Sequence, residues 1–192
     1  MEFRESMGDD AIDVKVAELL VATADSADYL IDGSVKEVLA LLRERMKMDV
    51  VFVSEFTGGK RVFRAVDQAP GQQLFTAGHA DPLEATWCQR VVDGRLPELV
   101  RDARPLQARG EVPKLPFPIG TFLSTPIVLA SGEVYGTLCC FSFGDNPDIT
   151  DGDVKKLRYT AQLTAGKIER SRQVEQELEL ASIAGHGIRR QA

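Results

Sequence analysis

The sequence is poor in several kinds of residue on which function often depends. Its 192 residues include three cysteines, two histidines and fewer lysines and arginines (23) than aspartates and glutamates (29). A net charge of -6 argues against nucleic acid or an anionic membrane as a partner, because either would favour a basic surface. The sequence has no run of about 18 apolar residues, and the acidic residues 1–10 lack the layout of a signal peptide. We therefore expect a cytoplasmic protein.

The few cysteines form no recognisable metal or disulfide pattern. Cys88, Cys139 and Cys140 are odd in number and lack the spacing of metal ligands, as expected of a protein in a reducing compartment. Successive side chains of a strand point to opposite faces, so Cys139 and Cys140 are poorly placed to bond each other or to share a metal. The sequence thus predicts no metal site and requires no cofactor.

What the chain does contain is a stretch, residues 120–143, that predicts a central β-hairpin. Two runs rich in β-branched and aromatic residues flank the turn signal Ser131-Gly132. Neither face of these runs is strongly hydrophilic, whereas a strand with one wet face alternates apolar with polar residues. We therefore expect this hairpin to lie inside the protein, with a layer of structure on each side.

The residues near the start of the chain predict helices and a first hairpin. Apolar residues recur at three and four positions over residues 10–31, which indicates an amphipathic helix. Ser34 and Glu37 form a capping box at the start of a second helix. Strands over residues 49–56 and 61–67, separated by a glycine-containing turn, predict the hairpin.

Shorter elements follow. Residues 68–82 lack periodicity and predict a loop, and residues 83–92 predict a short helix. Residues 97–103 predict a strand at the edge of the sheet, because the proline at its start cannot donate a hydrogen bond to a neighbour. Four prolines make residues 104–120 unsuitable for a helix, so this segment is expected to be an ordered lid or a mobile loop.

A long helix is predicted at the end of the chain. Thr150 and Asp153 form its cap, and an apolar stripe continues to Ala181. Such a helix would be roughly 45 Å long at about 1.5 Å per residue, which is further than a domain of this size needs. It is either a surface helix with a frayed end or a helix that pairs with its copy. We favour pairing in a homodimer.

Several segments resemble those of a known family, the GAF domains. Residues 88–97 and 99–103 resemble the short helix and the following strand of that family. Residues 124–127 (Ser-Thr-Pro-Ile) and 135–138 (Tyr-Gly-Thr-Leu) resemble its last two strands. The likeness is in particular to GAF domains attached to bacterial histidine kinases and cyclic di-GMP enzymes. It implies an α+β, PAS-like fold: an antiparallel sheet with the terminal helices on one face and a ligand cavity, short helices and loops on the other.

The same resemblance divides the chain into three parts. Residues 1–33 are expected to be an N-terminal helix for dimerisation or signalling. Residues 34–170 are expected to be the GAF domain, and residues 171–192 a helical extension with a tail.

The resemblance, combined with strand alternation, indicates which residues face the cavity. If Gly136, Leu138 and Cys140 face the terminal helices, where glycine permits close packing, the alternate residues of that strand face the cavity. The candidate ligand-binding residues are Phe75, Trp87, Cys88, Phe117, Phe122, Ser124, Thr137, Cys139 and Phe141. His79 is an outer candidate. Aromatic and cysteine residues also fill protein cores, and this second interpretation stays open.

The resemblance implies a non-catalytic sensory domain that binds an unidentified small molecule, dimerises through its terminal helices and regulates an output domain outside this chain. An enzyme is the alternative, because one GAF branch reduces free methionine sulfoxide. That branch uses a cysteine in the loop before the penultimate strand and carboxylates along the last two strands. Here residues 104–120 contain no cysteine, and the strand positions hold Phe122, Cys139 and Phe141. The cysteine and the carboxylates that sulfoxide reduction requires are therefore missing from the corresponding positions of this chain.

Haem or bilin binding is a further alternative. Bilin-binding GAF domains carry a cysteine beside a histidine, whereas Cys88 is followed by Gln89. Haem needs an axial ligand, and His79 is the only histidine in residues 34–170. A lone histidine in a loop is usually solvated, so we expect neither coloured cofactor.

Overall fold

The computed structural model describes residues 14–17 and 33–188. The strands are β1 (Val50–Thr57), β2 (Lys60–Gln68), β3 (Ala80–Pro82), β4 (Leu99–Val100), β5 (Thr121–Val128) and β6 (Val134–Ser142). They form one antiparallel sheet in the order β3-β2-β1-β6-β5-β4. The helices are α1 (Gly33–Arg45), α2 (Trp87–Val92), α3 (Arg104–Ala108) and α4 (Asp151–Ile188), with a 3-10 turn at Leu83–Ala85. The sheet and its helices confirm the predicted α+β fold.

The predicted central hairpin is present as β5 and β6. β6 lies between β1 and β5, and every residue of β6 except Val134 is buried. The strands can be covered on both faces because neither carries a row of polar side chains that needs water. Their pairing is regular up to Ile127 and Gly136, beyond which Tyr135 is an extra residue. This β-bulge turns the Tyr135 ring into the core on the side of the helices.

One face of the sheet is covered by α1 and α4. The two helices bury aliphatic side chains against it, among them Val35 and Leu39 of α1 and Leu157 and Ile168 of α4. Leu138 of β6 belongs to the same cluster and is fully buried. The terminal helices therefore share one face of the sheet, as predicted.

Only a short piece of the first predicted helix falls within the described residues. Residues 14–17 are helical, and Val16 is buried in the aliphatic core with α1 and α4. The rest of residues 10–31 lies outside the described part of the chain. Ser34 already lies within α1 instead of capping it, and its hydroxyl accepts a hydrogen bond of 2.8 Å from the buried Lys167 Nζ.

The first predicted hairpin is confirmed, with strand ends that differ by about one residue. Gly58 and Gly59 connect β1 to β2 with φ of 56° and 71°. Two successive positive φ values are what the tightest hairpin turn requires, and glycine adopts them without strain.

The predicted cap of the long helix is confirmed. Thr150 N donates to Asp153 Oδ2 (2.8 Å), and Asp153 N donates to Thr150 Oγ1 (3.3 Å), so each side chain satisfies a free backbone amide. α4 then runs for 38 residues and passes the predicted end at Ala181. Despite its length, α4 is not apolar enough to cross a membrane, and neither is any other helix among the residues described.

Four segments differ from their predicted structure. Residues 80–82, predicted as loop, form β3 and pair with the start of β2. The predicted helix 83–92 is interrupted at Thr86, which has an extended backbone and caps α2 with its hydroxyl. Within residues 104–120, α3 forms because its proline lies in the first turn, where no intrahelical amide donor is required. The edge strand predicted at 97–103 is reduced to the two residues of β4.

Candidate functional site

The second face of the sheet carries mainly aromatic side chains. Phe52 of β1, Phe122 of β5 and Phe141 of β6 are buried there and form the floor of a cavity of about 360 Å³. The walls come from the segments that cross this face, namely the loop between β2 and β3, residues 85–87 and residues 114–119. A cavity of this volume can hold a small molecule.

Hydrogen bonds hold the wall segments over the floor. Gln68 Oε1, at the end of β2, accepts from the backbone amides of Leu74 (2.9 Å) and Phe75 (3.0 Å). Gln68 Nε2 donates to the Phe75 carbonyl (2.8 Å). Trp87 Nε1 donates to the Pro113 carbonyl (3.0 Å), which connects α2 to the proline-rich segment. Of the two predicted alternatives for that segment, this contact favours the ordered one.

The aromatic rings of the wall and the floor contact one another in defined orientations. Phe117 lies nearly parallel to Phe141, with ring centroids 5.9 Å apart and an interplanar angle of 8°. Phe75 meets these two rings edge to face at 5.6 and 5.8 Å. Trp87 and Phe122 form another edge-to-face pair at 5.2 Å. Aromatic pairs of this geometry are stabilising, so they fix the position of the wall over the floor.

Arg61 of β2 provides the charge at one end of the cavity. Its guanidinium lies over the rings of Phe63 (4.4 Å) and Phe52 (5.5 Å), a cation–π arrangement. Nη2 donates to the Asp81 carboxylate, and Nη1 lies 3.6 Å from Cys88 Sγ. Arg61 Nε is buried without a hydrogen-bond partner among the described residues.

Cys88 and Cys139 contact each other beside Arg61. Their sulfur atoms are 3.9 Å apart, and both side chains are fully buried. The hydrogen bond from the Cys139 thiol and the charge of Arg61 outweigh burial and lower the pKa of Cys88 to about 5. Burial, followed by the neighbouring Cys88, raises the pKa of Cys139. The pKa values of the two thiols are therefore shifted in opposite directions, and Cys88 is the more acidic of the pair.

Part of the predicted site lines the cavity. The predicted residues that do so are Phe75, Trp87, Phe117, Phe122 and Phe141, together with the outer candidate His79. Those that do not are Cys88, Ser124, Thr137 and Cys139, which are fully buried. Alternation gives the face of a strand correctly, but it does not show that Arg61 and α2 cover part of that face. Contact of any of these residues with a ligand stays a prediction.

Gly136 permits a close approach between two strands, and not between a strand and a helix as predicted. A Cβ atom at this position would collide with the backbone carbonyl of Ser54 in β1, and not with a helix. The glycine therefore allows two neighbouring strands to approach each other. Leu138 and Cys140 do pack on the helix side, and Cys139 and Phe141 on the aromatic side, as predicted.

Arg61 and Asp81 line the cavity, but the sequence did not indicate them. The pairing of β1 with β2 shifts at a β-bulge, so that Phe63 faces the aromatic side and Ala65 the helix side although they are two residues apart. Alternation along β2 therefore assigns faces only when the bulge has been located. Asp81 lies in β3, which is too short to be recognised, and pairs directly with Arg61.

The arrangement is suited to a small, mostly apolar molecule. The rings supply apolar contact, and the lining also contains two cationic side chains, Arg61 and Lys114, and one carboxylate, Asp81. Within residues 14–17 and 33–188, no group of three or more His, Cys, Asp or Glu side chains could hold a metal ion.

Comparison with known proteins identifies the family. The sequence matches the GAF domain family over residues 31–169. No curated protein matches it. The structure is similar to the GAF domain of an Acinetobacter phosphoenolpyruvate-protein phosphotransferase, with a TM-score of 0.68 and 17% identity, covering 88% of this chain and 96% of that one.

Two further solved structures are similar. One is the free methionine-R-sulfoxide reductase of Neisseria meningitidis in complex with its substrate, with a TM-score of 0.62, 16% identity, and 83% and 89% of the two chains covered. The other comes from a methyl-accepting chemotaxis protein, with a TM-score of 0.61, 16% identity, and 83% and 98% covered. Likenesses at such low identity show a shared fold alone. The family match spans most of the chain and agrees with this fold, and the chain therefore belongs to the GAF domain family.

Proposed function

We propose that this chain is a non-catalytic sensory domain of a bacterial signal-transduction protein and binds a small molecule in its aromatic cavity. The observation that carries the proposal is the cavity of about 360 Å³ on the sheet face opposite the terminal helices. A mostly apolar cavity with a few convergent polar groups is the usual form of a small-molecule site. The similar domains from a phosphotransferase and a chemotaxis protein support a regulatory role.

The similar methionine sulfoxide reductase makes an enzyme the competing function. The cavity gives this function little support, because its floor consists of the phenylalanines Phe52, Phe122 and Phe141. The two cysteines on this side are buried and do not line the cavity, so a substrate as large as methionine sulfoxide that bound there would not contact either sulfur. The geometry therefore favours binding without turnover.

We also propose that α4 transmits the signal through a homodimer. Near its end, Leu178, Leu180 and Ile183 are 59%, 60% and 64% exposed. Exposed apolar side chains on a helix that extends past the fold suit contact with the same helix of a second copy. Paired helices of this kind would carry the signal to an output domain outside this chain.

Native mass spectrometry of the freshly purified protein tests the binding proposal. We expect a complex that carries the additional mass of a small molecule, which is lost when the protein is denatured. If no molecule co-purifies, the fluorophore 1-anilinonaphthalene-8-sulfonate serves as the probe. The variant Ala85→Phe, which adds a ring inside the cavity lining, should weaken binding of this probe, whereas Ala130→Phe in the turn between β5 and β6 should not.

Three results would contradict the binding proposal. The first is a bare protein that also leaves the fluorophore unbound. The second is equal binding by both phenylalanine variants. The third is reduction of free methionine sulfoxide above background in the presence of dithiothreitol, which would make the domain an enzyme.

The dimer proposal is tested by light scattering after size-exclusion chromatography. We expect a dimer at micromolar concentration that dissociates in the double variant Leu180→Gln, Ile183→Gln, because these two side chains are three positions apart and share one face of the helix. Glu179→Gln, an exposed substitution on the same helix, is the control and should leave the dimer intact. A monomeric unmodified protein would contradict the proposal.

A further inference from the structure

Two thiols that the proposed function does not use lie in contact inside the domain. Cys88 of α2 and Cys139 of β6 are 51 positions apart in the chain, yet their sulfur atoms are separated by 3.9 Å. Cys140 follows Cys139 directly but packs on the other face of the sheet, in the aliphatic core with α1 and α4. The chain thus contains one close pair of thiols and one isolated thiol that serves as an internal control.

A cationic side chain lies between this pair and the cavity. Arg61 Nη1 is 3.6 Å from Cys88 Sγ, and the Asp81 carboxylate holds the other end of the guanidinium. Arg61 also lines the cavity. Arg61 therefore contacts both the Cys88 sulfur and the space that a small molecule can enter.

The surroundings give the two sulfur atoms different chemical roles. The charged and titratable groups that face Cys88 are Arg61 from β2, with its partner Asp81 from β3, and Cys139 from β6. The hydrogen bond from Cys139 and the charge of Arg61 lower the pKa of Cys88, whereas burial raises the pKa of Cys139. The thiolate is the nucleophilic form of cysteine. Cys88 is therefore placed to attack, and Cys139 to resolve the product.

We propose that Cys88 and Cys139 form a redox-active pair that a small hydroperoxide oxidises to a disulfide. The Cys88 thiolate attacks one oxygen of the hydroperoxide, the O–O bond breaks, and the departing oxygen takes up a proton and leaves as water or an alcohol. Cys88 is then a sulfenic acid. The Cys139 sulfur loses its proton, attacks the Cys88 sulfur and displaces water. The two thiols lose two electrons, the hydroperoxide gains two, and a reducing thiol reverses the reaction by exchange.

Formation of this disulfide requires little movement. The sulfur atoms, now 3.9 Å apart, must approach to about 2.05 Å. The bond would join α2, which supplies Trp87 to the cavity wall, directly to β6, which supplies Phe141 to its floor. It would also remove the thiolate beside Arg61. This inference goes beyond ligand binding and does not depend on whether the cavity holds a ligand.

The experiment counts free thiols before and after hydrogen peroxide treatment of the native protein. The reaction is quenched with acid, the protein is unfolded, and N-ethylmaleimide adducts are counted by intact mass spectrometry. The three thiols of the untreated protein should fall to one, and dithiothreitol should restore all three. Protein unfolded in urea before treatment should react more slowly, because its thiols are no longer beside Arg61.

Single substitutions show which two cysteines form the disulfide. In Cys140→Ala, the number of free thiols should fall from two to none, because this variant retains the reactive pair. Cys139→Ser should leave a sulfenic acid on Cys88 that dimedone traps, and Cys88→Ser should keep both of its thiols. Arg61→Gln should move the midpoint of the pH–rate profile of the native reaction upward by about one pH unit or more, because an adjacent opposite charge shifts a pKa by that amount.

The unmodified protein and Cys140→Ala decide the question even if the other variants do not fold. The inference is overturned if the native protein keeps three thiols after treatment, if Cys140→Ala keeps two, or if native and unfolded protein react at the same rate. Absence of a bound small molecule would count against the proposed function and would leave this result unaffected.

Discussion

The two faces of the sheet are both buried, but they are built from different side chains. On the helix side, Leu39, Leu138 and Leu157 pack together with at most 1% exposure. On the other side, phenylalanine rings such as Phe75 and Phe117 surround a cavity of about 360 Å³. Flexible aliphatic chains can fill the space between two helices and a sheet to high density. On the aromatic side, rings held at defined angles surround space that no side chain fills.

The same strand contributes to both environments. β6 directs Leu138 and Cys140 to the helices and Cys139 and Phe141 to the aromatic side. On the aromatic side, Arg61 Nε and Ser124 Oγ are buried without a hydrogen-bond partner among the residues described. Each such atom is expected to cost roughly 1–3 kcal/mol. We infer that the close-packed helix side supplies more of the stability, whereas the aromatic side contains the proposed binding site.

At neutral pH, the largest effect on stability should follow from a cavity made on the helix side. Leu138→Ala removes a fully buried side chain from the aliphatic core and should lower the free energy of unfolding by about 2–5 kcal/mol. Urea unfolding measures this change. Lys155→Ala, at an exposed site on α4 outside the proposed dimer contact, is the control and should change stability by less than about 0.5 kcal/mol. Similar losses in both variants would break the comparison of the two faces.

A smaller loss of stability should follow from a substitution that forces two strands of the sheet apart. Gly136→Ala places a Cβ atom against the Ser54 carbonyl of the neighbouring strand, so the strands must separate and stability should fall by about 1–3 kcal/mol. Gly144→Ala is the matched control, because a Cβ atom there meets no atom within 4 Å. Thermal unfolding should distinguish the two variants. Equal midpoints would contradict the close strand approach.

The sequence predicted those parts of the fold whose pattern is local and regular. The central hairpin has two long runs with a clear turn, and the cap formed by Thr150 and Asp153 needs only residues three apart. The sequence did not predict β3, which is three residues long, because its pairing with β2 and not its composition makes it a strand. Thr86 likewise interrupts a helical pattern, because its backbone is extended and its side chain caps α2. The sequence pattern alone does not show this change of backbone conformation.

The candidate site likewise contains residues that the sequence predicted and residues that it did not. Phe122 and Phe141 were predicted because the alternation of the central hairpin is regular over their positions. Arg61 was missed because a bulge shifts the alternation of β2. Contact between Cys88 and Cys139 was also missed, since it depends on how α2 lies over the sheet. Periodicity gives the face of a strand, but it does not give the contacts between distant segments.

The pH dependence of stability should report the thiolate on the aromatic side. The folded pKa of Cys88, about 5, lies below its ordinary value of 9.0, owing to the hydrogen bond from Cys139 and the charge of Arg61, which Asp81 holds. Between these values the unfolded chain binds a proton that the folded chain does not. The contribution of Cys88 is therefore complete above about pH 9, declines as the pH falls and is lost through about pH 5, with a slope of at most about 1.4 kcal/mol per pH unit.

Urea unfolding across this pH range checks the sign. The difference in stability between the unmodified protein and Cys88→Ser should grow as the pH rises, because other titrating groups cancel in the difference. Cys140→Ala should retain the pH dependence, since burial raises the pKa of that thiol. A difference that is constant with pH would show that folding does not lower the pKa of Cys88.

The smallest effect on stability should come from the cavity wall. Phe117→Ala removes a half-buried ring that lines the cavity, and Phe56→Ala removes a half-buried ring of β1 that does not. Each should cost about 1–2 kcal/mol, because only part of each ring is removed from water in the folded protein. Fluorescence titration with 1-anilinonaphthalene-8-sulfonate should nevertheless separate the two variants, with affinity reduced in Phe117→Ala and unchanged in Phe56→Ala. If both variants bind the fluorophore equally, Phe117 acts only in packing, and the aromatic side would resemble the helix side more closely than we infer.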